Sequence, residues 1–176
     1  MDLSAHPPGV PAGADADLVD GLAALSRALV GITAHTLATL DVEVTLSQYR
    51  TIVVLASRGP VRTVDLAAAL HVHPSTVTRT CDRLERRGLV ARHQGATDRR
   101  VSWLILTESG KSLVGEVMRR RTAQIRELVR TPEAAAARSL AELVEALAVA
   151  SGEPSERQWW HRWEHCTDLT PTSAAG

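Results

Sequence analysis

Between Gly59 and Thr107 the chain reads as a stop, a short helix, a turn, a second helix and two strands, and that order narrows the possible folds more than any bulk property. Gly59-Pro60 stops a helical pattern, and Thr63 is expected to cap a short helix with Leu66 and Leu70 facing inward. A tight turn follows at His71-Val72-His73. Pro74 then stands in the first turn of the next helix, where its missing N–H costs least. That helix is predicted to run to about Arg87, with Gly88 as its C-terminal cap. Two short strands come next, about Val90–His93 and Val101–Leu106, around the turn-rich loop Gln94-Gly95-Ala96-Thr97-Asp98. On the second strand Val101, Trp103 and Ile105 alternate with Ser102, Leu104 and Leu106. Helix, turn, helix and strand hairpin in this order describe a winged helix-turn-helix.

The flanks are helical. Leu18, Leu22, Leu25, Leu29 and Ile32 recur at three- and four-residue steps, predicting an amphipathic helix from Asp15 to about Leu40. Thr45-Leu46-Ser47-Gln48 reads as a capping box for a second helix with a buried stripe of Tyr49, Ile52, Val53 and Ala56. Thr107 caps a long helix reaching about Val129. Thr131-Pro132-Glu133 opens another, with the stripe Leu140, Leu143, Val144 and Leu147, ended by Ser151-Gly152. The expected fold is therefore mainly α: a winged helix-turn-helix at 46–107, with helices at 15–40 and 108–152 forming a dimerisation scaffold. Residues 1–14 are expected to be a disordered arm, and 153–176 a tail holding Trp159, Trp160 and Trp163.

Formal net charge is +0, yet the charge is unevenly placed. Arg58, Arg62, Arg79, Arg83, Arg86, Arg87, Arg92, Arg99 and Arg100 share one segment with only Asp65, Asp82, Glu85 and Asp98. A basic segment in a neutral chain is the electrostatic footprint of a nucleic-acid binder. Cys81 and Cys166 are far apart and make no disulfide framework. No secretory pattern is read at the N-terminus, and no apolar run is expected to span a bilayer. A cytoplasmic protein with no membrane partner is the simplest expectation. No nucleophile–base pair, phosphate loop or complete metal cluster is evident, so neither an enzyme nor a cofactor is expected.

In the helix after Pro74, Val77, Cys81 and Leu84 share a face and should be core. Ser75, Thr76, Thr78, Arg79, Asp82 and Arg83 lie opposite. Short hydroxyl side chains allow close approach to a groove, and Arg79 can grip guanine in bidentate fashion. Arg83 and Arg86 suit phosphates, which hold register without reading sequence. Arg99 and Arg100, near the hairpin tip, suit a narrow minor groove. Asp98 is expected to pair with an arginine and fix the loop.

These residues resemble the MarR family of bacterial transcriptional regulators. The resemblance rests on Leu46-Ser47-Gln48-Tyr49-Arg50, Val64-Asp65-Leu66-Ala67 and His73-Pro74-Ser75-Thr76-Val77-Thr78-Arg79. It continues through Asp82-Arg83-Leu84-Glu85-Arg86-Arg87-Gly88-Leu89-Val90 and the wing Asp98-Arg99-Arg100 running to Leu106-Thr107, within roughly Asp15 to Ala150. It implies a homodimer on a pseudo-palindromic operator in double-stranded DNA, acting as a repressor that a small aromatic or amphipathic effector releases. A constitutive or architectural DNA binder, or a redox- or metal-responsive regulator, is the alternative.

The effector pocket is expected among the first, second and fifth helices and the wing base, with His35, Thr39, Tyr49 and Arg50 as candidates and Trp103 behind them. Gly31 to Val44 contains no cysteine, the place where oxidant-sensing relatives carry theirs, and Cys81 reads as packing. His161 and His165 with Cys166 form an incomplete metal set, read first as polar decoration around an aromatic anchor. The tail tryptophans are expected to pack on the dimer scaffold or a partner subunit; a tail that reaches or gates the pocket is the alternative. Arg119-Arg120-Arg121 reads as a solvated face.

Overall fold

The structure, a computed structural model, describes residues 14–94, 102–130 and 138–166. Its elements are α1 (Ala14–Ala38), α2 (Leu46–Arg58), β1 (Val61–Arg62), α3 (Thr63–Leu70), α4 (Pro74–Arg86), β2 (Val90–Gln94), β3 (Ser102–Leu106), α5 (Glu108–Leu128), α6 (Arg138–Ala150) and α7 (Glu156–Cys166).

Helix α2 is the hub. Gln48 N donates to Thr45 Oγ1 at 3.3 Å and Thr45 N donates to Gln48 Oε1 at 3.0 Å, closing the expected capping box. The helix ends at Gly59, whose φ of 71° suits a residue without a Cβ. Ile52, Leu55 and Ala56 are buried, and α2 meets α3, α4, α5, β3 and α7. Leu66, Val77, Leu84, Leu104, Val114 and Val117 complete a core in which each is at most 1% exposed. Full burial of such a side chain stabilises by roughly 1.5–3 kcal/mol.

The sheet runs β1-β3-β2, all antiparallel. Val90 pairs with Leu106 and His93 with Trp103, while Val61 pairs with Leu104 on the other edge. Leu104, wholly buried, anchors the sheet to α2 and α3. Thr107 Oγ1 accepts from Gly110 N at 3.1 Å and donates to Gly88 O at 2.5 Å, fastening α5 to the turn that ends α4. Contact there is so close that a Cβ on Gly110 would stand 2.1 Å from Leu89 O.

Several expectations are corrected. Thr63 is the first residue of α3, not its cap; Arg62 holds the cap position without a side-chain cap bond and pairs with Asp65 at 2.7 Å instead. Strand β1 was not expected. Its two residues carry no periodicity, and the pairing comes from distant β3. Val53 is only half-buried. The expectation that no apolar run could cross a bilayer also fails: Ala16–Ala38 of α1 is long and apolar enough by length and composition, with a mean hydropathy of 1.2. The cause is a helix apolar on more than one face. It packs against α5, yet Leu18, Val19, Leu25 and Val30 remain exposed. On α6, Leu140, Leu143, Val144 and Leu147 are exposed as well.

The tail forms α7, and its docking differs from expectation: it packs on α2 of the same chain. Gly152, at φ 85°, closes α6. Ser155 and Gln158 form a second capping box, with bonds of 3.1 and 3.3 Å. Trp159 is buried in the main core. It stacks on Trp163 at 5.7 Å between ring centroids and meets Trp160 edge-on at 5.1 Å.

Candidate nucleic-acid interface

His73 begins α4 as its N-cap, its Nδ1 accepting from Ser75 N at 3.3 Å, and Pro74 occupies the first turn. His71 makes the turn before it in the left-handed region, at φ 54°. Gly88 N donates to Glu85 O and Leu89 N to Leu84 O, which close the far end with Gly88 at φ 69°. Between these stops, Val77, Cys81 and Leu84 are buried. A helix clamped by one face and both ends presents the other face as a rigid surface.

Ser75, Thr76, Thr78, Arg79, Arg83 and Arg86 are all exposed there. Thr78 Oγ1 donates to Pro74 O at 3.1 Å, Arg79 Nε to Ser75 O at 3.2 Å and Arg86 Nε to Asp82 O at 3.2 Å. No ion pair holds Arg79, Arg83 or Arg86 among the described residues. The acids that could have quenched them are engaged from the sheet: Arg92 of β2 pairs with Asp82, and with Glu85 at 3.4 Å. Arg62 and Arg87 are also committed, to Asp65 and to Gln48 and Glu43. The basic segment therefore divides into arginines paired within the domain and arginines without an ion pair among the described residues. Arg92 was counted in the sequence only as charge; its neutralising role depends on pairing across the β2–α4 contact. An α-helix of roughly 10–12 Å diameter matches a major groove about 12 Å wide. Asp98, Arg99 and Arg100 lie outside the described residues, as does the opening of the sixth helix at Thr131-Pro132-Glu133.

Cys81 is wholly enclosed, and burial pushes its thiol up to about 11, so the reactive thiolate is disfavoured. His161 and His165 are on one face of α7 with ring centroids 4.1 Å apart, but His165 Nδ1 is bonded to His161 O at 2.7 Å. No group of three or more potential metal ligands occurs among the described residues.

A cavity of about 720 Å³ opens between α1, α2 and α6. Tyr49 and Arg50 line it; His35 and Thr39 do not. Leu22, Leu25, Leu29 and Thr33 supply the α1 wall, whereas His35 is exposed and Thr39 bonds to Thr36 O and accepts from Arg120 Nη1. Trp103 is also absent from the lining. Arg121 is present, which corrects its reading as solvated. The signal was available: Val114, Val117, Met118 and Arg121 continue one buried stripe at three- and four-residue steps. Burial pushes the Tyr49 hydroxyl up to about 12, against the opposing pull of Arg121.

Residues 44–102, which hold α2, the helix-turn-helix, β2 and the first residue of β3, match the MarR family. The chain is 38% identical over 80 residues to the HTH-type transcriptional repressor MdtR of Bacillus subtilis (strain 168), a match covering 46% of this chain and 52% of that one, so it spans about half of that relative. The crystal structure of RV1404 from Mycobacterium tuberculosis superposes with a TM-score of 0.73 at 34% identity, covering 83% of this chain and 99% of that one. FabT of Streptococcus pneumoniae, solved in complex with DNA, shares the fold at 23% identity and a TM-score of 0.62, over 76% of this chain and 97% of that one. By the matched segment, the near-complete coverage of a 34%-identical structure and the winged helical architecture, the chain belongs to the MarR family of transcriptional regulators.

Proposed function

We propose that the chain is a sequence-specific DNA-binding repressor that works as a homodimer and is released by a small effector. The carrying observation is the outward face of α4: hydroxyl residues and three arginines without ion pairs among the described residues, while Arg92 engages the neighbouring acids. Ser75, Thr76, Thr78 and Arg79 read base edges in the major groove, and Arg83 and Arg86 hold phosphates. Arg99 and Arg100 of the wing enter the adjacent minor groove. FabT, which shares the fold and was solved in complex with DNA, supports DNA as the partner.

Segments 15–40 and 108–152 act as the dimerisation scaffold, 46–107 as the DNA-binding part and 153–176 as a tail. Exposed Leu18 and Val19 of α1 and Leu140 and Leu143 of α6, which lie outside the cavity lining, support a second copy covering them, since apolar patches of that kind mark interaction surfaces. Two-fold symmetry then calls for a pseudo-palindromic site with half-sites ~10 bp apart. The cavity beside Tyr49 and Arg50 is the effector site. Selection of bound duplexes from a random pool, followed by fluorescence anisotropy, tests the reading. A pseudo-palindrome bound with a steep salt dependence supports it; recovery of no preferred sequence refutes it.

A further inference from the structure

His73 caps α4 with a ring nitrogen, and the geometry fixes where the ring proton sits. Ser75 N lies 3.3 Å from His73 Nδ1 and, as a backbone amide, can only donate. Nδ1 is therefore the lone-pair nitrogen of a neutral ring, and Nε2 carries the proton. Ser75 Oγ lies 2.9 Å from the same Nδ1. With no hydrogen on Nδ1, the hydroxyl is the donor in that contact. Its one hydrogen is spent inside the protein, which leaves Ser75 Oγ only lone pairs to offer a partner. Thr78 Oγ1 is held likewise, donating to Pro74 O at 3.1 Å, but its acceptor is a carbonyl, which does not titrate.

From this arrangement we infer that His73 is a positioning residue that sets Ser75 as a hydrogen-bond acceptor toward DNA. One base pair of each half-site is then read as an amino-bearing base while the ring is neutral, and that preference is lost when the ring is protonated. The inference rests on the reading of α4 as the helix in the major groove and specifies what Ser75 selects there. In that groove adenine N6 and cytosine N4 donate, whereas guanine O6 and thymine O4 accept. A hydroxyl that can only accept pairs with the first two and is left unpaired against the others. A protonated imidazole has no lone pair. Its Nδ1–H donates to Ser75 Oγ, the bond from Ser75 N is lost, and the hydroxyl hydrogen is freed. Ser75 then donates as readily as it accepts, and the preference collapses. His73 is exposed, and both of its hydrogen bonds among the described residues go to Ser75. Helix α4 packs against α2, α3 and β2. Of the charged groups those elements carry, Asp65 is held by Arg62, and Arg92 by Asp82 and Glu85. Arg50 is held by Glu153, and neither Arg58 nor His93 bonds to His73 among the described residues. On its own stretch of chain His71 precedes it in the turn, and Arg79 Nε is engaged by Ser75 O. The charge of the ring is thus passed on through Ser75.

Anisotropy is measured with the full chain on the duplex selected from the random pool and on duplexes carrying each of the other base pairs at each half-site position. The position at which Ser75→Ala equalises the bases is the one that Ser75 reads. There the wild type should prefer adenine or cytosine over guanine or thymine by ~5-fold or more at about pH 8, and by less than ~2-fold at about pH 5, toward the two ends of the range in which imidazoles titrate. Positive charge gained at low pH strengthens binding to every duplex alike, so the ratio between duplexes at one pH is the readout. His73→Asn keeps a capping acceptor that does not titrate, and it should hold the preference at both pH values, with helical circular dichroism as the check on folding. The position read by Thr78, found in the same way with Thr78→Ala, should keep its preference at both pH values. A wild-type ratio that does not change with pH overturns the inference. So does a pH-dependent ratio that survives in His73→Asn, an equal loss at the Thr78 position, or a Ser75→Ala protein that weakens on all duplexes equally. A chain that selects no duplex refutes the repressor reading instead.

Discussion

Arg87 Nη1 donates to Gln48 Oε1 at 3.1 Å, tying the end of α4 to the first turn of α2 across 39 residues. The same oxygen accepts from Thr45 N, so one buried amide serves a helix cap and an interhelical bond. Gln48→Ala should therefore destabilise the fold by about 1–3 kcal/mol, seen as a lower urea midpoint at unchanged slope. A midpoint equal to wild type would remove Gln48 from the structural account.

Gly110→Ala separates helix propensity from packing. Alanine favours a helix interior by about 1 kcal/mol over glycine. Its methyl would stand 2.1 Å from Leu89 O, a backbone atom that cannot swing aside. Net destabilisation of ~2 kcal/mol or more is expected in thermal or urea unfolding. A stabilised variant would mean that α5 is not seated on the α4–β2 turn.

Stability should fall at alkaline pH. Burial raises the Cys81 thiol from 9.0 to about 11 and the Tyr49 hydroxyl from 10.0 to about 12. A group with a raised folded-state pKa contributes stability in full below its unfolded value, and loses it as pH rises through the folded value. Urea midpoints should decline between pH 9.0 and about 12, with the Cys81 part setting in first. Tyr49→Phe should flatten the upper part of the decline, and a flat profile in wild type would contradict the burial of both groups.

The exposed stripe on α6 gives a prediction about assembly. Leu140 and Leu143 are 54% and 41% exposed in the single chain. In the proposed homodimer they would be covered, so Leu140→Glu with Leu143→Glu should shift sedimentation equilibrium from dimer to monomer while leaving helical circular dichroism largely intact. An unchanged dimer would place the interface elsewhere.

What could be read from the sequence followed from the range of the interaction. The Thr45–Gln48 box, Pro74 in the first turn of α4, Gly88 beyond its end and the Val77–Cys81–Leu84 stripe depend on residues within a turn or two of one another. Features made by distant segments were missed. Strand β1 exists because Val61 meets Leu104, and Arg92 matters because β2 brings it to Asp82. The cavity needs walls from α1, α2 and α6, and His35 near the end of α1 and Thr39 just beyond it lie outside it. The tail's tryptophans signalled an anchor, but only the packed structure places them on α2.

The central claim is that the outward face of α4 reads DNA sequence through Arg79. Anisotropy with the selected duplex and with a scrambled duplex of equal length, for wild type and Arg79→Ala, tests it most directly. Loss of one bidentate base contact should cost about 1–3 kcal/mol, roughly 5- to 150-fold, on the selected duplex. Binding to the scrambled duplex should weaken far less. Equal losses on both duplexes, or none on either, would contradict the account.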